Sequence, residues 1–162
     1  MDNIDRIKAQ WAKQRPDLDV EPMALIGRLQ RVSKVLSHEM QATFAKHGLN
    51  GPSFDVLATL LRSGAPHALS PNELLETMMI TSGTLTNRID QLEKSGFVVR
   101  TGNQNDKRSV IVSLTQKGLA VIDKAVTAHV ETQTGLTAGL TPEEHKSLSQ
   151  LLRRFLSTLP DS

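Results

Sequence analysis

Residues 70–118 read SPNELLETMMITSGTLTNRIDQLEKSGFVVRTGNQNDKRSVIVSLTQKG, and the order of signals in that stretch decides the fold. Ser70-Pro71-Asn72-Glu73 is a capping box with proline at the first helical position, so a helix starts there. Leu74, Leu75 and Met78 follow at helical spacing, and Ile80-Thr81-Ser82-Gly83 breaks the run, with Thr81 or Ser82 able to cap the next helix. Leu85, Ile89 and Leu92 then form one apolar stripe, and Gly96 supplies a left-handed stop. Phe97-Val98-Val99-Arg100 and Ser109-Val110-Ile111-Val112-Ser113-Leu114 are rich in β-formers, with the polar turn 102–108 between them. Two short capped helices, a hairpin and a third helix start make a winged helix-turn-helix, which offers one helix and one basic loop to a duplex.

Outside this unit the chain is helical. Asn3 to Gln14 carries Ile4, Ile7 and Trp11 on one side and is ended by Pro16. A long helix over 22–47 bears Leu25, Leu29, Val32, Leu36, Met40 and Phe44 and stops at Gly48. Asn50-Gly51-Pro52 opens a helix with Phe54, Leu57 and Leu61, which Gly64 and Pro66 break. Thr115 caps a helix with Leu119, Ile122, Ala125, Val126 and Val130. Thr141-Pro142-Glu143-Glu144 is a second capping box, before Leu148, Leu151, Leu152, Phe155, Leu156 and Leu159.

The expectation is therefore a mainly α protein with a small β-hairpin wing, one domain over 1–162. Residues 52–114 form the winged lobe, and helices within 3–47 and 115–159 flank it. Those flanking helices either pack on each other within one subunit or interlock with a second copy. A lone winged helix makes few base contacts, which favours a homodimer.

Lysine and arginine number 19 against 17 aspartates and glutamates, so the total charge says little about partners. Its distribution says more: Ser82 to Gly118 holds Arg88, Lys94, Arg100, Lys107, Arg108 and Lys117 against Asp90, Glu93 and Asp106. A local basic excess suits a phosphate-facing surface. With no cysteine, disulfides, thiolate metal sites and cysteine-based redox sensing are excluded. No apolar run reaches membrane-spanning length, and the first residues lack the pattern of a signal peptide, so a soluble cytoplasmic protein is expected. One Trp, no Tyr and four Phe argue against stacking platforms for single strands.

With Leu85, Ile89 and Leu92 buried, Gly83, Thr86, Asn87, Asp90, Gln91 and Lys94 face outward at about 100° per residue. The hydroxyls of Ser82, Thr84 and Thr86 and the amides of Asn87 and Gln91 suit base edges, while Lys94 suits a phosphate. At the wing tip Lys107 and Arg108 are the candidate contacts, an arginine there being able to enter a narrow A·T minor groove. Asp106 is placed to fix the turn and steer Arg108. A solvated helix face and a soluble turn are the plain alternatives, and a winged helix used only for protein contact is the other functional one.

Catalysis finds no support. His38, His47, His67, His129 and His145 are scattered without ligand spacing, and neither a glycine-rich phosphate loop nor a GxSxG elbow occurs. No metal and no cofactor is expected.

The run Ser82 to Gly96, with Asn105-Asp106-Lys107-Arg108-Ser109 and Leu114-Thr115-Gln116-Lys117-Gly118, closely resembles the MarR family of bacterial regulators. The resemblance extends over nearly the whole chain. It implies a homodimer on an inverted-repeat operator, acting as a repressor that a small molecule releases. The extra N-terminal helix with Trp11 is similar to the urate-responsive branch of that family. By that resemblance Trp11 and Arg88 hold an anionic aromatic ligand, while Asp55 and Arg100 couple it to the recognition helix. Related regulators answer to phenolic acids, their coenzyme A esters or other metabolites, and the sequence does not choose among them. Independently of the resemblance, Arg88 and Asp55 each flank an apolar stripe, so each needs a partner. An ion pair between the two, with Arg100 a surface charge at a strand end, is the structural alternative.

Overall fold

The computed structural model describes residues 1–78, 80–102 and 110–160. The elements run α1 (Asn3–Gln14), α2 (Glu21–Lys46), α3 (Gly51–Arg62), β1 (Ala68–Leu69), α4 (Pro71–Met78) and α5 (Ser82–Lys94). β2 (Val98–Gly102), β3 (Val110–Leu114), α6 (Gln116–Thr137) and α7 (Pro142–Leu156) complete them. The fold is mainly helical with a small antiparallel sheet, and the chain divides into two compact units, Met1–Ala42 and Thr43–Ser162.

In the first unit Asp2 caps α1, accepting from the Ile4 and Asp5 amides at 2.8 and 2.9 Å while Asp5 accepts from the Asp2 amide. Arg28 of α2 ties both carboxylates down, and its hydrogen bond to Asp2, helped by the Asp5 amide, lowers the Asp2 pKa to about 2. Gly27 lets the two helices meet, since a Cβ there would lie 3.2 Å from Ile4 Cδ1. Leu25 and Val32, expected on a buried stripe, are instead more than half exposed within the single chain.

The second unit holds the main core. Asn50 caps α3 through the Ser53 amide, and Val56, Leu57 and Leu60 of that helix are fully buried. Leu74 of α4 and Ile122 and Ala125 of α6 are equally buried. The sheet order is β1-β3-β2, with Val98 opposite Leu114 and Gly102 opposite Val110. β1 is an addition to the expected hairpin: Ala68 and Leu69 pair with Ser113 and Val112, too short a run to show a period in sequence.

Two glycines join recognition unit to sheet. Gly96 has φ +73°, a left-handed conformation that ends α5. Gly118 lies so close to Phe97 that an added Cβ would fall 1.9 Å from its carbonyl oxygen. The Thr115 hydroxyl accepts from the Gly118 amide and donates to the Gly96 carbonyl, locking the start of α6 against the end of α5. α7 begins with the expected Thr141/Glu144 capping box but buries no residue; Leu148, Leu151, Leu152 and Leu156 all stand exposed.

Candidate nucleic-acid interface and adjoining cavity

The helix α5 is seated by Leu85, Ile89 and Leu92, each at most 2% exposed. Thr81 caps it, accepting from the Thr84 amide at 3.4 Å and sharing a 2.9 Å hydrogen bond with the Thr84 hydroxyl. The Thr86 hydroxyl donates to the Ser82 carbonyl at 3.0 Å. Away from the core, Ser82, Thr84, Thr86, Asn87, Gln91 and Lys94 are all exposed. The side chains of Asn87, Gln91 and Lys94 are not committed to any hydrogen bond among the described residues. That side of the helix therefore presents amide and ammonium groups to solvent.

The expected outward face is corrected at Asp90, which is half-buried. The Arg100 guanidinium reaches it at 2.5 Å through Nη2 and reaches Glu93 at 2.6 Å through Nη1. Glu93 also accepts from the Arg100 backbone amide at 3.1 Å. Burial works against the Arg100 charge, but these two carboxylates outweigh it and raise its pKa. Arg100 is thus a brace between β2 and α5 and does not line the cavity described below. Lys117 is likewise occupied: Nζ donates to the Ser95 carbonyl at 2.8 Å and lies over the Phe97 ring, closing the C-terminal end of α5. Lys107, Arg108 and Asp106 lie outside the described residues.

On the other flank of α5 is a cavity of about 270 Å³. Phe54, Asp55, Ala58, Thr59 and Arg62 of α3 form one wall; Thr77 and Met78 at the end of α4, Ile80 and Arg88 of α5 form the rest. Two of the four residues grouped with the ligand, Asp55 and Arg88, therefore share one cavity. Trp11 belongs to the first unit and is 41% exposed. The ion pair between Asp55 and Arg88 allowed by the sequence is absent among the described residues, and Asp55, Arg62 and Arg88 have no other ion pair or side-chain hydrogen bond there. Desolvation raises the Asp55 pKa, against the fields of Arg88, Arg62 and His129.

Behind Asp55, Phe44, Phe54 and His129 form an aromatic pile. Phe44 and Phe54 stack at 4.3 Å, and the His129 ring tilts against both at 5.1 and 4.8 Å. Its Nδ1 is buried without a hydrogen-bond partner among the described residues, and desolvation lowers its pKa while Asp55 opposes the shift. Arg62 was not legible as a site residue. Its one sequence signal is a position seven after Asp55, about two helical turns, which puts both on one face. Among the described residues no His, Asp or Glu cluster could hold a metal, and no helix is long and apolar enough to cross a membrane.

A sequence profile described as MarR family matches residues 47–109. The HTH-type transcriptional regulator PecS of Dickeya dadantii is 42% identical over 151 residues, covering 93% of this chain and 91% of PecS. Among solved structures, a single-residue mutant of MarR from Escherichia coli complexed with operator DNA matches with a TM-score of 0.72 at 27% identity, over 85% of this chain and 97% of that one. BpsR of Bordetella bronchiseptica, from a structural study of how 6-hydroxynicotinic acid regulates its DNA binding, matches with a TM-score of 0.70 at 25% identity, over 83% and 93%. PecS is named as a transcriptional regulator, not as an enzyme.

Proposed function

The chain belongs to the MarR family of transcriptional regulators, and from that premise we propose that it binds an inverted-repeat operator as a homodimer and acts as a repressor released by a small anionic aromatic ligand, urate being the first candidate. The observation that carries the ligand half is the cavity beside α5, walled by Asp55, Arg62 and Arg88, none of them neutralised by a described neighbour. Charged groups beside an apolar core are costly unless something pairs with them, and a planar anion does so. At about 270 Å³ the space suits one or two fused rings.

Arg88 and Asn87 are adjacent on α5, one turned to the cavity and the other to solvent. An anion drawn to Arg88 and repelled by Asp55 shifts the helix, and the shift carries Asn87, Gln91 and Lys94 with it. Only a difference in ligand affinity between two helix positions can move the DNA equilibrium. Support for the DNA half comes from the uncommitted outward face of α5 and from the operator complex of the E. coli relative. Support for small-molecule control comes from BpsR, whose DNA binding is regulated by 6-hydroxynicotinic acid. For assembly, the exposed leucines of α7 favour a second copy as their cover, because exposed apolar helix faces of that length mark interfaces.

The test is a mobility-shift titration on inverted-repeat duplexes, with and without saturating urate or salicylate. Binding should fall steeply with salt, with a log–log slope of about −0.9 per neutralised phosphate. Ligand should weaken binding by about 1–3 kcal/mol. Operator affinity unchanged in both ligands rejects the ligand half, and unchanged binding in Asn87→Ala and Lys94→Ala rejects the assigned DNA face. Leu151→Glu should yield monomers by analytical ultracentrifugation; a wild-type chain that sediments as a monomer rejects the dimer.

A further inference from the structure

We infer that Arg62 is a second anion receptor in the α3–α4–α5 cavity and selects planar ligands that carry two acidic groups. This rests on reading that cavity as a ligand site. The α3 wall is a ruler: Asp55 at one end, Ala58 and Thr59 in the middle, Arg62 at the other. Seven residues of helix separate the ends by about 10.5 Å of rise along one face. The small middle residues leave a shallow surface for a flat ring. The Thr59 hydroxyl donates its proton to the Asp55 backbone carbonyl at 2.7 Å and so has none to offer an anionic ligand. Arg88 faces this wall from α5.

The charges then sort themselves. Asp55 repels an acidic group at the ligand edge beside it and can accept from an N–H or O–H there. Arg88 takes one acidic group, and Arg62, two turns from Asp55, takes a second at the far edge. Elsewhere in the described chain, arginines facing carboxylates are saturated by them: Arg15 by Asp17, Arg28 by Asp2 and Asp5, Arg100 by Asp90 and Glu93. Among the described residues Arg62 and Arg88 have only the more distant field of Asp55, one carboxylate against two guanidiniums. A cation in the last turn of α3 also complements the helix dipole, but that role is indifferent to ligand chemistry. Ligand selectivity therefore separates the two roles.

The experiment is isothermal titration calorimetry on the full-length protein, wild type and Arg62→Gln, with benzoate, salicylate, isophthalate, terephthalate and urate. Wild type should bind at least one of the two diacids about tenfold more tightly than benzoate, as a charge-assisted second contact implies. Arg62→Gln should abolish that preference, lowering diacid affinity about tenfold and benzoate affinity by much less, while Arg62→Lys should restore part of it. Arg62 is exposed, and an unchanged thermal transition will verify that the variant folds. A diacid-to-benzoate ratio that survives in Arg62→Gln, or wild type binding monoacids or urate but no diacid more tightly, overturns this inference alone. Wild type binding none of the five overturns the ligand site and this inference with it.

Discussion

The two flanks of α5 use the same functional group in opposite ways. On one flank Arg100 meets Asp90 and Glu93 and a backbone amide shares the Glu93 carboxylate, so every charge has a partner. On the other, Arg88 and Arg62 stand with Asp55 around a cavity, and none of the three is paired among the described residues. Counting about 100° per residue, Arg88 and the Asp90/Glu93 pair lie on opposite sides of the Leu85/Ile89/Leu92 stripe. Saturated charge makes a joint between strand and helix. Unsaturated charge next to a core makes a site whose energy depends on what enters it.

The largest expected effect is on the saturated flank. Arg100→Gln leaves two neighbouring carboxylates on α5 without their cation and removes charge-assisted hydrogen bonds at 2.5 and 2.6 Å. The pair is partly solvated, so the loss of stability should be about 1–3 kcal/mol and not more. Urea denaturation measures it. Operator affinity should fall as well, because α5 and the wing strand lose their joint. A loss below about 0.5 kcal/mol would mean that Arg100 is an ordinary surface charge and the contrast between flanks is false.

His129 sharpens the contrast as a third case, a titratable group kept neutral. Its pKa lies below the ordinary 6.5, because burial in the Phe44/Phe54 pile opposes the imidazolium more than Asp55 favours it. Below pH 6.5 the unfolded chain takes up a proton that the folded chain excludes, so stability is full above that pH and falls as the solution is acidified. His129→Phe keeps the stacking and removes the proton. Its stability between pH 7.5 and 5 should decline less than wild type, by on the order of 1 kcal/mol, in denaturation series at each pH. Parallel pH profiles for the two proteins would show that His129 does not titrate differently in the folded state.

How much of this was visible in the sequence follows from the range of each interaction. Caps, stops and the α5 stripe are local, so a cap at Thr81 or Ser82, the stop at Gly96 and the Leu85/Ile89/Leu92 seam could be read directly. Asp55 and Arg88 were visible through the family resemblance, which their place at the margin of an apolar stripe supported in part. The Arg100 joint was not, since it depends on β2 folding back beside α5, and the same pairing turned Asp90 from an outward residue into a half-buried one. Arg62 is marked by no motif in the sequence. Only the approach of α4 and α5 to α3 makes it a cavity wall. β1 exists through its partner β3 and has no pattern of its own.

The smallest effects should come from the unsaturated flank in the absence of ligand, and they test the comparison most severely. Arg88→Gln removes a charge that has no described partner, so apo stability should change by less than about 0.5 kcal/mol, although ligand affinity should fall severalfold. Asp55 works with the opposite sign to His129. Its pKa is raised above the ordinary 3.8 by desolvation, so the folded chain holds its proton at a pH where the unfolded chain has released it, and stability falls as pH rises through that window. Asp55→Asn removes the decline, so the variant should equal or slightly exceed wild type at pH 7.5, by less than about 1 kcal/mol given how exposed the residue is. If Arg88→Gln or Asp55→Asn instead costs as much as Arg100→Gln, the cavity charges are paired in solution. The two flanks of α5 would then do the same structural work.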